Sequence, residues 1–282
     1  MVKEGLNDDE IVEAVTEAIS RPPRLGEIAR ALSKHRAQGG NGENPSIPAL
    51  PRTPKVKFEP ELLRRIASKL PRFTERALAS RSLLPIKKQT PATFLSSLYR
   101  AEETALVLDR FTGWGQPFPV GNLDPDSLDH YREGSHAGVW FLTNPVNGKW
   151  MRNANNRLSR RSEGNVTAWR YLLLESDAAD PAEWLRFLAL VPLRIAAICT
   201  SGGKSIHALV RLDCQDKAQF DREVAELKPQ FVRCGADPAA MTAVRLSRLP
   251  GCERGETGQV QRLLYLNPEP ANTPICELKA VR

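Results

Sequence analysis

Residues 168–177 read AWRYLLLESD, and residues 201–207 read SGGKSIH. The first stretch is an apolar run closed by two carboxylates, Glu175 and Asp177. Side chains alternate along a strand, so positions two apart share a face. A strand here puts both carboxylates on one side, close enough to repel each other. A divalent cation resolves that repulsion, and hard oxygen ligands on a rigid strand suit Mg²⁺ or Mn²⁺. An isolated E-x-D is equally the look of an ordinary strand end reaching solvent.

The second stretch follows another apolar strand, RIAAIC (194–199), and opens a further one, IHALVRLD (206–213). Two glycines permit a tight hairpin between them. Ser205 and His207 share a face, where a hydroxyl and an imidazole can bond triphosphate oxygens. Lys204 and the turn amides are further phosphate contacts, although a regular strand would turn Lys204 to the other face. The spacing of a P-loop is absent. A Gly-Gly hairpin beside a satisfied core histidine has the same sequence.

Between and after these strands the pattern is helical. DPAEWLRFLALV (180–191) is a helix with Asp180 as cap. DKAQFDREVAELKPQFVRCG (216–235) is a second, which Pro229 is expected to split. QRLLYLNP (261–268) is a last strand. The order β-α-β-β-α-β predicts an α+β fold of ferredoxin-like, RNA-recognition-module type, a split βαβ sheet with helices on one side. That layout hosts several functions and selects none. Asp237, in CGADP after the second helix, is a candidate third metal ligand, or a turn residue. Arg245 and Arg248, in VRLSRLPG, suit bidentate phosphate contact, or are solvated arginines. Residues 251–258, GCERGETG, read as an exposed loop.

Upstream, residues 1–36 predict a helical arm of two short helices, and residues 37–57, rich in Gly, Pro and Asn, a flexible linker. Residues 58–137 predict a helical region with a first strand, ALVLDRF, packed on a core of residues 138–282. Thr90-Pro91 is a helix start. Residues 112–136 read as loop and GVWFLTNP (138–145) as a strand. The basic residues of 58–100, among them Arg64, Arg72, Lys87 and Lys88, are candidates for template contact or a solvated helix surface.

The 282 residues are 41% hydrophobic and 26% charged, enough to bury a core. The net charge is +7 and the pI about 9.3, compatible with nucleic acid but weak as an argument alone. Five cysteines, 15 to 24 residues apart with no CxxC pair, disfavour a zinc ribbon and fit a reducing compartment. The N-terminus does not read as a secretory signal, no apolar run spans a bilayer, and the expected location is cytoplasmic.

The order of these signals carries more than each alone. An acidic pair on a strand, then S-x-H on a later strand of the same unit, then a lone acid after a helix resembles the three-motif signature of the archaeo-eukaryotic primase superfamily. Within it the sequence is similar to the primase-polymerase branch, including RepB-type plasmid replication primases and phage relatives. Glu175-Ser176-Asp177 departs from the DxD or DxE form in its first residue, Ser205-Ile206-His207 matches the second motif, and Asp237 is assigned to the third. The resemblance covers roughly residues 138–268. It implies primer synthesis on a single-stranded DNA template from nucleoside triphosphates. Glu175, Asp177 and Asp237 would be catalytic and hold Mg²⁺ or Mn²⁺. Ser205, His207, Lys204, Arg245 and Arg248 would bind nucleotide. The family often fuses this core to a helicase; no Walker A motif occurs here, so a separate replicative helicase is an expected partner.

Two rivals have discriminating features. A non-catalytic single-stranded nucleic-acid binder on the same sheet needs exposed aromatics on the central strands, and those strands carry acids instead. A nicking initiator needs a histidine pair, and His35, His130, His136 and His207 form no HxH. A primase fold kept only as a scaffold also accommodates the E-x-D departure.

Overall fold

The structure, a computed structural model, describes residues 56–153 and 155–281. The expected helices of residues 8–36 and nearly all of the linker lie outside the described residues. The chain runs through α1 (Pro60–Ala67), α2 (Glu75–Ala79), α3 (Pro91–Leu98), β1 (Thr104–Leu108), β2 (Gln116–Pro119), β3 (Trp140–Leu142), β4 (Met151–Arg152), β5 (Leu158–Ser159) and β6 (Trp169–Ser176). It continues through α4 (Pro181–Leu190), β7 (Ile195–Thr200), β8 (Ile206–Cys214), α5 (Lys217–Arg233), β9 (Leu246–Arg248), β10 (Glu253–Arg254), β11 (Gln259–Val260) and β12 (Leu263–Leu266). No helix among the described residues is long and apolar enough to cross a membrane.

Two four-stranded antiparallel sheets carry the fold, ordered β12-β7-β8-β6 and β2-β1-β3-β9. The class is α+β. In the first sheet β8 lies between β6 and β7 and runs against both, which is the split βαβ arrangement. In a ferredoxin-like order the fourth strand would flank β6. Here β12 pairs with β7 at the opposite edge, leaving β6 exposed to the second sheet.

Strand alternation divides the apolar side chains. Tyr171, Leu173, Leu209 and Leu266 face α3 and the second sheet, where they join Phe94, Leu95, Val107 and Phe141 in one core. The rings of Phe94 and Phe141 meet edge to face at 5.5 Å. Helices α4 and α5 cover the other face, joined by Phe187 and Phe231 at 5.9 Å, with Trp184 Nε1 donating to the Ile206 carbonyl at 3.1 Å. The outer face of the second sheet holds a smaller cluster of Leu106, Leu108, Trp140, Leu142, Val146 and Leu246.

Asn144 joins the two sheets at the β6 edge. Its fully buried Oδ1 accepts from the Arg170 and Tyr171 N–H groups at 2.8 and 2.7 Å, and its Nδ2 donates to the Tyr171 and Ala243 carbonyls at 2.8 and 3.0 Å. One side chain thus supplies the edge with partners that a neighbouring strand would otherwise provide.

Local chemistry explains the elements. Thr90 caps α3 in a capping box with Thr93, with Pro91 in the first turn. Asp180 caps α4, accepting from Ala182 N–H and Glu183 N–H, both at 3.0 Å. Helix α5 is not split: it runs continuously through Pro229. Pro229 and Ala225, whose carbonyl loses its intrahelical donor, are both exposed, where the lost bond is tolerated. The segment read as loop contains β2, an edge strand in which Pro117 and Pro119 are tolerated. The 251–258 segment contains most of the small β10–β11 hairpin.

Arg170 is nearly buried and clasps Glu103 through both carboxylate oxygens at 2.8 and 2.6 Å, while the Arg100 N–H donates to Glu103 at 2.8 Å. Burial pushes the Glu103 carboxyl up, but these hydrogen bonds outweigh it and hold it below the usual 4.5. A depressed carboxylate contributes stability above its unfolded-state pKa and loses it as pH falls through the folded value. Urea denaturation should therefore show stability declining as pH drops below about 4.5. Glu103→Gln leaves Arg170 only its 3.9 Å ion pair with Asp213 and should cost about 2 kcal/mol at neutral pH while flattening that acid limb. An acid limb as steep as in the unaltered protein would count against the pair.

Candidate functional site

A cavity of about 370 Å³ opens where β9, the edge of the second sheet, passes the ends of β6 and β8. Its lining brings together Glu175, Asp177, Ser205, His207, Arg245 and Arg248 from the sequence expectation, and adds Phe111, Trp140, Leu246 and Arg254. A cavity of about 430 Å³ lies beside α2 and β12, lined by Arg76, Ile86, Lys87, Arg262 and Leu263 among others. It gathers no comparable group of acids and histidine.

Glu175 sits at the end of β6 directly across from His207 on β8. Alternation turns both toward the second sheet. The His207 Nε2 lies 3.3 Å from one Glu175 oxygen and 3.5 Å from Ser205 Oγ, and Nδ1 lies 3.3 Å from Ser247 Oγ. Burial first, then the nearby Arg248 and Arg245, push the imidazole down to about 3. The ring is therefore neutral at pH 7, so it meets Glu175 in close contact and not as an ion pair. Only 5% of His207 is exposed, so it forms the cavity floor with both nitrogens engaged.

Arg245 donates through one nitrogen, Nη2, to Glu175 Oε1 and, at 3.4 Å, to Asp237 Oδ2. The Asp237 N–H donates to the Glu175 carbonyl at 2.8 Å, and its other oxygen accepts from Ala239 N–H at 2.9 Å. Asp237 thus reaches Glu175 through a backbone bond and a shared cation. Burial raises the Glu175 carboxyl despite Arg245, and the charges of Asp177 and Asp237 add to the rise.

The metal set is where the sequence expectation needs correcting. Strand β6 ends at Ser176, whose Oγ donates to the Gly235 carbonyl at 2.5 Å and accepts from Ala179 N–H at 3.0 Å. That turn carries Asp177 past the strand, into an exposed bend, so it does not share a regular strand face with Glu175. The point between Glu175 and Asp237 is filled by a guanidinium. Among the described residues no three His, Cys, Asp or Glu side chains are grouped so as to hold a metal ion. As arranged, Glu175, Asp177 and Asp237 do not fit Mg²⁺ or Mn²⁺. Lys204 is exposed and outside the cavity lining.

The cationic wall was only half visible in the sequence. Arg248 lies 4.2 Å from the centre of the Trp140 ring and donates to the Ala137 carbonyl at 2.5 Å. Burial first, then Arg254, push its guanidinium down to about 10. Arg161, donating to the Val244 carbonyl at 3.0 Å, is pushed down to about 10 by burial and then by Arg245. Arg254 is held by Glu256. Phe111, Trp140 and Arg254 come from loops and strands distant in sequence, with no motif to mark them. Ser247 had a signal: it is the polar residue between the arginines of VRLSRLPG, and alternation points it at His207.

No family model matches the chain, and no curated protein matches it. Among solved structures it is similar to the primase-polymerase AEP domain of cyanophage S-2L. The TM-score is 0.42 and the identity 19%, over 62% of this chain and 88% of that one.

Arg245→Gln removes the cation shared by Glu175 and Asp237. It should lower stability by about 3 kcal/mol in EDTA and raise the affinity for Mn²⁺ measured by calorimetry. An unchanged Mn²⁺ affinity would mean that the carboxylates do not frame a common cation seat.

Proposed function

We propose that this cavity binds a nucleoside triphosphate and that the protein is a primase-polymerase, extending primers along a single-stranded DNA template. The observation that carries the reading is the convergence on one cavity of Glu175, Asp177, Ser205, His207, Arg245 and Arg248, with Asp237 tied in through Arg245. These residues belong to three sequence motifs and to both sheets.

The chain's own groups suit the task. Arg245, Arg248 and Arg254 offer guanidinium groups to one open space, and guanidinium forks match phosphate oxygens. Arg254 weakens the charged form of Arg248, so Arg248 gains from a bound polyanion. Ser205 offers a hydroxyl to phosphate oxygens, with the neutral His207 ring behind it. Ser205 and Ser247 hold that ring from two sides, and Glu175 lies against it. The Phe111 and Trp140 rings, 5.8 Å apart, supply apolar surface at the mouth. Nucleotidyl transfer asks mainly for positioning and charge neutralisation.

A divalent cation belongs to this reading, and it requires the Arg245 guanidinium to leave Glu175 and Asp237. A triphosphate gives that guanidinium an alternative partner. The same obstacle supports a second reading, a non-catalytic single-stranded nucleic-acid binder in which Arg245 permanently neutralises the acids. Cytoplasmic location and a separate replicative helicase accompany the first reading as proposals.

Incubation with single-stranded DNA, Mn²⁺ and labelled nucleotides separates the two. Primer formation should be abolished by Asp177→Ala and reduced at least about 100-fold by His207→Ala, a size typical of losing one preorganised contact to a reacting group. Template binding with no incorporation under either metal selects the binder.

A further inference from the structure

The segment 149–161 reads KWMRNANNRLSRR and forms the β4–β5 hairpin and its flanks. It contains Lys149, Arg152, Arg157, Arg160 and Arg161, and no acidic residue occurs between Glu133 and Glu163. None of these five cations is in an ion pair among the described residues. Beside them stand exposed large apolar side chains: Trp114 at 70%, Leu158 at 58%, Phe111 at 46%, Trp150 at 42% and Met151 at 36%. Leaving two tryptophans open to water costs burial free energy that the core could have gained.

The side chains form a track. Trp114 and Trp150 meet edge to face at 5.3 Å. The Arg160 guanidinium lies 4.4 Å from the centre of the Trp150 ring and donates to the Gly115 carbonyl at 3.2 Å, while its buried Nε has no hydrogen-bond partner among the described residues. The next residue, Arg161, lies 5.2 Å from the centre of the Phe111 ring. Phe111 meets Trp140 at 5.8 Å, and Arg248 lies against Trp140 at the cavity wall. Ring pairs and guanidinium groups therefore follow one another from the exposed hairpin to the cavity wall.

We infer that the β4–β5 hairpin and the Trp114 loop form a platform for single-stranded nucleic acid, leading the strand to the cavity. The inference deepens the proposed function and rests on it for the strand's destination. Unpaired bases offer π faces to Trp114, Trp150 and Phe111, and the intervening phosphates meet Lys149, Arg157 and Arg160. A duplex, with its bases stacked inside, offers the rings nothing. Basic residues mixed with exposed tryptophan and leucine also occur on membrane-surface elements. Here ring pairs and cations are interspersed along a path that ends in a polar cavity, which favours a polyanionic strand.

The test uses the full chain and a labelled oligothymidylate of about 20 nucleotides, read by fluorescence anisotropy in EDTA. Trp150→Ala should weaken binding about tenfold or more, while Trp150→Phe retains most of it. Lys149→Ala with Arg157→Ala should reduce the slope of log affinity against log salt by about 1.4. These side chains are exposed, so thermal unfolding should not change. Duplex of the same length should compete poorly, and vesicles of phosphatidylserine and phosphatidylcholine should not compete. Oligothymidylate binding that is absent, or insensitive to these variants, overturns the platform, as does equal binding of duplex or preferential binding of vesicles. If binding falls as expected in a chain that never incorporates nucleotide, the platform stands and the catalytic reading fails.

Discussion

The outer edge of β6 is the constraint on which the site depends. Its sheet continues on the other side through β8, β7 and β12, so the backbone groups of this edge have no strand to pair with. Buried polar groups left in that state cost about 1–3 kcal/mol each. Asn144 meets them at one end, and the Asp237 N–H meets the Glu175 carbonyl at the other. Asn144 precedes the split βαβ unit, and Asp237 belongs to the connection that follows α5. Satisfying the edge therefore draws the second sheet and the 237–248 segment against β6. The Thr143 N–H and hydroxyl, donating to the Arg245 carbonyl at 3.1 and 3.2 Å, fix the arginine's backbone within the same junction.

This arrangement explains what the sequence did and did not reveal. The unit from β6 to β12 was legible because its periodicity, caps and glycine turn are local. Asp180, Thr90 and the turn at Gly202 do their work within a few residues of where they stand. The second sheet was not legible as a sheet. Strands β1, β3 and β9 lie far apart in sequence, and β2 carries two prolines that argue against a strand unless it is known to be an edge. The place of β12 beside β7 depends on the same long-range geometry, since either edge would accept an apolar strand.

The candidate site divides along the same line. Residue types and spacing brought Glu175, Ser205 and His207 onto neighbouring strands, and Asp237 and Arg245 to the same corner. Spacing could not show that β6 stops at Ser176, because the stop is enforced by a hydroxyl bonded to Gly235, 59 positions away. Nor could it show which cation answers the acids. An arginine within the third motif region bonds both Glu175 and Asp237, and a carboxylate cluster read from sequence carries no information about such an internal partner.

Cys199 lies under this junction, its sulfur 4.0 Å from Ser247 Oγ and 3.6 Å from the Arg248 carbonyl. Burial pushes its thiol up to about 12, so almost none is thiolate at neutral pH and alkylating reagents find neither access nor a nucleophile. Of the five cysteines, only Cys276 is not buried. The sulfur at this seam is in effect a latent chemical reporter, silent while the two sheets stay closed over it.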